Sequence, residues 1–230
     1  LDEEQNPPYD YFYNLSYSHQ KKGRVNPYKL VADLESGPKY IKATLEAEYK
    51  LSYTTKGGLD IRAFLGKFIV NNNPSFIYDF SLSGRKGGQD YMFEHVFLNR
   101  FGNYPNDLFS RQFVPSDGGF ASFFPFGYSD NWLGAVNVTS NIPKIPLVKP
   151  FVNAAFTKTE NYGNDFTLYA EGGLMLGGKL VGVYFPMFSS EDINSYVSDN
   201  TSNYWQRIRF VLRLEKLNPF KLRELLLFAM

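Results

Sequence analysis

The chain contains two imidazoles, His19 and His95, and no thiol. Glu94-His95 is not a zinc-helix motif, because no second histidine stands at the required spacing. It reads as a polar loop pair. Disulfides and thiolate chemistry are excluded by the absence of cysteine. No serine stands in a nucleophile-elbow context, and no phosphate-cradling or dinucleotide fingerprint occurs. The glycine pairs at 57–58, 87–88, 118–119, 172–173 and 177–178 read as hairpin or close-approach positions. Catalysis by this chain, a metal site and a cofactor are therefore not expected. The chemistry that does recur in a pattern is charge. Glu46, Glu48, Asp60, Glu171 and Glu215 share the chain with Lys42, Lys50, Arg62, Arg207, Arg209 and Arg213. Most of these residues alternate with apolar neighbours. Such charges suit ion pairing across a lumen, where pairing offsets desolvation. The expected lumen network is Glu46, Glu48, Arg62, Glu171, Arg207, Arg209 and Arg213, with Arg85, Lys86 and Asp90 joining it from a loop.

These charges must be placed by extended segments. Residues 40–53 read YIKATLEAEYKLSY. Ile41, Ala43, Leu45, Ala47, Tyr49, Leu51 and Tyr53 fall on one face, and Lys42, Thr44, Glu46, Glu48, Lys50 and Ser52 on the other. Period-two alternation predicts a strand with one dry and one wet face. At about 14 residues it exceeds the roughly 5–6 of soluble sheets and suits a tilted membrane-spanning strand, which needs about 9–11. Similar alternation predicts strands before it, from Tyr9 to Ser18 and from Tyr28 to Glu35, and after it from Leu59. Further strands are expected over 76–83, 120–126, 132–139, 148–157, 166–174, 180–185 and 204–214, about 10–12 in all. Between them, 84–119 lacks a period and is too long for an idle connection, so it is expected to fold into or over the barrel. Residues 90–99 could form a short helix within it. Residues 189–203 read as a polar loop. The tail 218–230 reads equally as a capped helix or a closing strand.

Composition sets the class. Lys plus Arg and Asp plus Glu number 24 and 23, so no whole-chain field favours nucleic acid. Aromatic residues make up 18%, with 22 Phe and 17 Tyr, which fits a barrel with aromatic girdles. Mean hydropathy is −0.31, a value barrels reach because half of each strand faces water. No run of about 18 apolar residues exists, so no transmembrane helix is expected. The start LDEEQNPPYD has no basic or apolar leader, so the chain reads as the C-terminal part of a longer exported precursor. The expected fold is all-β: an antiparallel transmembrane β-barrel, or the C-terminal part of one, occupying the whole chain as a single domain.

From about Gly84 onward the chain resembles the C-terminal barrel of the bacterial surface-antigen superfamily, the outer-membrane assembly and secretion barrels. The segment 132–156, WLGAVNVTSNIPKIPLVKPFVNAAF, resembles a strand pair near the family's C-terminal end. Asn153 stands there in place of an acid. Arg207-Ile208-Arg209-Phe210 followed by Leu217-Asn218-Pro219-Phe220-Lys221 is similar to barrels appended to zinc aminopeptidase-like proteins. The family's Val-Arg-Gly-Phe-type loop signature is replaced by Gly84-Arg85-Lys86-Gly87-Gly88-Gln89-Asp90-Tyr91. The resemblance implies a Gram-negative outer-membrane location and anchoring of a periplasmic domain, or a part in envelope protein assembly or transport. Its members typically carry sixteen strands, so the remaining ones would lie in a preceding region or on another chain. Outer-membrane lipid is the expected partner. Two other functions fit the residues: a soluble aromatic-rich β-sandwich that binds glycan or protein, and a small-solute porin.

Overall fold

The computed structural model describes residues 11–23, 25–54, 57–72, 75–84, 87, 90–158, 166–178 and 180–213. Arg85, Lys86, Glu215 and the tail 218–230 lie outside the described residues. The strands, in chain order, are β1 (Tyr13–Lys21), β2 (Tyr28–Ser36), β3 (Tyr40–Ser52), β4 (Gly58–Asn71), β5 (Phe80–Ser81), β6 (Tyr128–Ser129), β7 (Trp132–Asn141), β8 (Val148–Lys158), β9 (Phe166–Gly177), β10 (Val181–Ser189) and β11 (Arg209–Leu212). One helix, α1 (Glu191–Asn200), precedes β11. The protein is antiparallel β, built on one nine-stranded sheet in the order β1-β2-β3-β4-β7-β8-β9-β10-β11. Strands β5 and β6 make a separate two-stranded sheet. Among the described residues β1 and β11 do not pair, and the large sheet does not close on itself. No described helix is long and apolar enough to cross a membrane.

Because each strand alternates, the two faces of the sheet differ in kind. The open face carries Leu15, Leu34, Leu45, Leu65, Val136, Val152, Leu168 and Leu176, all exposed. Register places these residues as neighbours: Leu15 faces Leu34, and Leu45 lies between Ala32 and Leu65. Tyr28 faces Tyr49 near one rim, while Trp132 meets Phe166 near the other, with ring centroids 6.1 Å apart. The covered face is overlaid by the chain between β4 and β7, called the strap below. Phe64 and Phe68 of β4 pack there on Phe80, which sits in one buried cluster with Leu82, Phe120 and Phe124 of the strap.

The connections are unequal at the two ends. At one end 22–27, 53–57, 142–147 and 178–180 are short. At the other lie the tight turn 37–39, the long strap 72–131 and the 190–208 connection with α1.

Five expected elements differ. Residues 76–83 form a 3-10 turn (Phe76–Tyr78) and the two-residue β5, because Phe80 and Leu82 are taken into the core rather than into the large sheet. Residues 120–126 are not a strand; their aromatics fill the space over the covered face, and Phe120 makes only an isolated bridge to Ser83. The 90–99 stretch is a set of turns knotted by Asp90 instead of a helix. The polar 189–203 stretch contains α1, with Glu191 and Asp192 in the first turn, where they complement the helix dipole, and Ile193 buried in the core. The expected last strand shortens to β11, since Tyr204–Arg207 makes a 3-10 turn.

Candidate functional site

A polar row crosses the covered face. Register sets Gln20, Lys29, Glu48, Arg62, Asn137, Asn153 and Glu171 directly opposite one another on β1, β2, β3, β4, β7, β8 and β9. Its second half is hydrogen-bonded throughout. Arg62 donates from Nη1 to Asn137 Oδ1 at 3.0 Å, Asn137 Nδ2 donates to Asn153 Oδ1 at 3.0 Å, and Asn153 Nδ2 donates to Glu171 Oε1 at 2.8 Å. Glu48 stands opposite Arg62, but the guanidinium turns diagonally to Glu46, with Nη2 and Oε2 2.6 Å apart. Diagonal neighbours on one sheet face are within reach of a side chain as long as arginine.

The row holds the strap by its backbone. Asp117 O accepts from Arg62 Nη1 at 2.8 Å, Gly118 O from Asn137 at 2.8 Å and Gly119 O from Asn153 at 3.1 Å. The Ala121 and Ser122 N–H groups donate to the two oxygens of Glu171, the second at 3.0 Å. Glu171 is fully buried, and three donors replace the water its carboxylate has lost. Gly119 is required here: its φ is +71°, and a Cβ would lie 2.6 Å from Asn137 Oδ1.

The strap is fixed at two more points. Lys42 on β3 lies 3.3 Å from Glu35 and donates to the Tyr91 hydroxyl at 2.9 Å. Tyr40 and Tyr91 both donate to Glu35. Burial, and next the Glu35 carboxylate, push the Tyr91 hydroxyl far above its ordinary value, so it stays protonated as the donor. At the far side Arg209 is buried and donates to Arg111 O at 2.8 Å and Gln112 O at 3.2 Å. Its guanidinium stands 5.1 Å from the Tyr104 ring centroid, 5.3 Å from Phe113 and 5.7 Å from Phe123.

Two cavities flank the row. One of about 660 Å³, lined by Lys29, Glu48, Asn153 and Tyr184 among others, includes residues of the short-turn end. One of about 370 Å³ is lined by Asp33, Glu35, Glu46 and Tyr91. Arg62 and Pro115 border both.

The expected charge network is therefore mostly something else. Of the seven residues predicted for it, Glu46 and Arg62 alone pair with each other among the described residues. Glu48 is exposed. Glu171 and Arg209 serve strap backbone rather than opposite charges, because the strap brings its amides and carbonyls within hydrogen-bond distance of them. Arg207 sits off the sheet in the 3-10 turn and donates to Thr201 Oγ1 at 3.1 Å. Arg213 donates to the Tyr184 hydroxyl at 3.4 Å. Lys50 and Asp60 approach to 3.9 Å at a half-exposed position. Asp90 is a local pin: it accepts from the Glu94 and His95 N–H groups and from Arg100, at 3.0–3.1 Å. Asn137, Asn153, Glu35 and Tyr91 were not among the predicted site residues. Asn137 and Asn153 were detectable as amides on the wet positions of two adjacent strands.

His19 Nε2 lies 3.2 Å from the Tyr28 hydroxyl, and His95 is in the strap. Among the described residues no group of three or more His, Asp or Glu could hold a metal ion. Comparison of the chain with protein-family models, with curated proteins and with solved structures gives no match.

Proposed function

We propose that this chain is the barrel-forming part of a bacterial outer-membrane protein, with its interior occupied by its own strap, and that it works as a membrane anchor for an envelope protein. The observation that carries this reading is the open face. Apolar side chains run across it from Leu15 on β1 to Leu176 on β9 with no covering layer among the described residues. In water such a surface is unfavourable by about 25 cal/mol per Å². In hydrocarbon it is the expected solvent-facing surface of a barrel.

Dimensions support the same reading. The open face runs from Ala43 on β3, in the row that includes Lys67 and Trp132, to Tyr53 just past the end of that strand. Ten residues at about 3.3 Å each span roughly 33 Å. A tilt of about 40° reduces this to roughly 25 Å, the height of a barrel's apolar band. Short turns at one end and long connections at the other match the periplasmic and extracellular ends of such barrels.

The sandwich alternative needs two large facing sheets, and the described residues form one. The porin alternative needs a clear lumen, where the strap instead lies bonded to the polar row. A surface-antigen-type barrel remains our family assignment, and rests on the sequence resemblance. Transport or assembly activity, if the full polypeptide has one, would be carried outside the strap-filled interior. The test is flotation: the purified chain should need detergent to remain monodisperse and should float with phosphatidylcholine vesicles after detergent removal. A monodisperse chain in plain buffer that stays at the bottom of the gradient would sink the proposal.

A further inference from the structure

We propose that the root of the strap is a proton-operated latch, in which Asp79 and Asp130 face each other where the strap leaves and rejoins the sheet. A proton on Asp79 keeps the root closed, and its loss loosens the root. Strands β5 and β6 bring the two ends of the strap together, with Phe80 opposite Ser129 and Ser81 opposite Tyr128. The next residues outward on the two chains are Asp79 and Asp130. Like charges set opposite one another across a ladder repel. Asp130 is buried and Asp79 is half-buried, so water screens the pair poorly.

The neighbouring groups leave the repulsion in place. Lys42 of β3 is the cation that acts on Asp79, but its ammonium lies 3.3 Å from Glu35 and donates to the Tyr91 hydroxyl at 2.9 Å. Tyr78 and Tyr91 line the same small cavity as Asp79. The Tyr91 hydroxyl stays protonated and brings no charge. Asp117 turns to the Ser81 N–H at 3.1 Å. Burial, and next the Asp130 charge, therefore outweigh Lys42 and hold the Asp79 carboxyl at about 7 in place of 3.8.

The root yields most easily at this point, because β5 and β6 are only two residues each. On the Asp130 side the chain is fixed to the end of β4: Asn71 Nδ2 donates to Asp130 O at 2.9 Å, and the Phe68 N–H to Asn131 O at 2.8 Å. Relief of the repulsion falls on the Asp79 side, through β5 to the Leu82 N–H, which donates to Gly127 O at 3.2 Å. Opening returns Asp79 to water and to its ordinary value. The closed root thus binds the proton more tightly than the open one. Its extra stability is complete below about pH 4 and is lost as pH rises through about 7. With those two values the open fraction rises about tenfold between pH 6 and 8 and then levels off. The latch does not depend on the membrane reading, which adds only that the root, at the end with the long connections, answers to the pH outside the cell.

The test is amide hydrogen exchange of the full polypeptide at pH 6, 7, 8 and 9, each rate divided by the intrinsic rate at that pH. The Ser81 and Leu82 amides, bonded to Asp117 and Gly127, should exchange about tenfold faster at pH 8 than at pH 6 and change little from 8 to 9. Amides of β8 should show no such rise. Asp79→Asn should keep the root protected at every pH, and Asp130→Asn should move the rise to lower pH. A flat wild-type profile, a rise that persists in Asp79→Asn, or an equal rise in β8 would each overturn the latch. Lower protection at every pH with the wild-type profile would mark a merely structural role and overturn it too. Should Asp79→Asn not fold, an unmoved rise in Asp130→Asn overturns the proposal by itself. The experiment runs in micelles or in plain buffer, whichever keeps the chain monodisperse, so its failure is separate from failure of the flotation test.

Discussion

Replacing Glu171 by Ala should release the middle of the strap without unfolding the sheet. The substitution removes the acceptor of three donors: the Ala121 and Ser122 N–H groups and Asn153 Nδ2. Asn153 borders the 660 Å³ cavity, so water can replace its lost partner. The two strap amides belong to buried residues. Leaving each without an acceptor costs about 1–3 kcal/mol, and part of this is recovered as the strap shifts. A net loss of about 3 kcal/mol corresponds to a roughly 100-fold rise in local opening, at 1.4 kcal/mol per tenfold. The sheet should persist, because the strap is also tied to it by Arg62 Nη1, which donates to Asp117 O at 2.8 Å, and by Phe113 N–H, which donates to Phe210 O at 3.0 Å. Amide hydrogen exchange in detergent micelles reads this directly. Amides 121 and 122 should exchange about 100-fold faster while β3, β4 and β8 keep their protection. Glu48→Ala, on the same row but exposed, should change stability by no more than about 0.5 kcal/mol and leave those amides alone. Unchanged protection at 121 and 122 in the Glu171→Ala protein would refute the idea that this carboxylate holds the strap.

Three other outcomes follow from named contacts. Leu45→Arg should lower the stability of the vesicle-folded protein by about 2–4 kcal/mol, and Thr44→Arg by much less, as measured by urea titration into lipid vesicles; equal losses would reverse the face assignment. Burial, and next the Asp130 charge, raise the Asp79 carboxyl from 3.8 to about 7 against the opposing pull of Lys42. The folded form thus holds this proton more tightly than the unfolded chain, so its stabilising contribution is complete below about pH 4 and lost as pH rises through about 7. Asp79→Asn should flatten that slope in thermal melts taken between pH 4 and 8. Arg209→Lys should cost about 1.5–3 kcal/mol, since an ammonium cannot donate to the Arg111 and Gln112 carbonyls with the guanidinium's fork geometry; an unchanged denaturation midpoint would show that the aromatic cage alone suffices.

The sheet was legible in the sequence wherever one face is dry and the other wet. Residues 40–53 alternate without a break, and β3 follows them from Tyr40 to Ser52. The same held for β7 and β8, whose separating turn carries Pro143 and Pro146. Legibility ended where an extended residue pattern is recruited by the core rather than by a ladder. Phe120 and Phe124 look like strand residues, yet their rings fill the covered face while the backbone bends to meet Glu171. Helix α1 was obscured by its polar face; its sole buried residue is Ile193, so the apolar period was too weak to reveal it. Within the site the chemistry was misassigned for a different reason. A charge on the wet face of a strand can pair with an opposite charge or with a backbone dipole, and sequence cannot rank these. Glu171 and Arg209 chose the backbone because the strap passes within hydrogen-bond reach of both.

On the proposed barrel reading, that choice favours an anchor over a conducting pore. Side chains of Arg62, Asn137 and Asn153 donate to three consecutive strap carbonyls, and Glu171 accepts from two strap amides. At about 1 kcal/mol net for a neutral bond, and more for those made by Arg62 and Glu171, the five bonds together hold the strap by roughly 5 kcal/mol or more. An opening that breaks all five is then populated at a few parts in ten thousand or less. Such a rare opening would not support steady solute flow. A plug bonded through its backbone is also indifferent to the side chains it carries, which leaves Phe93, Phe101 and Phe109 free to meet another surface. On the proposed reading, the same strap that fills the interior also presents these rings outward, which suits an anchor more than a conducting pore.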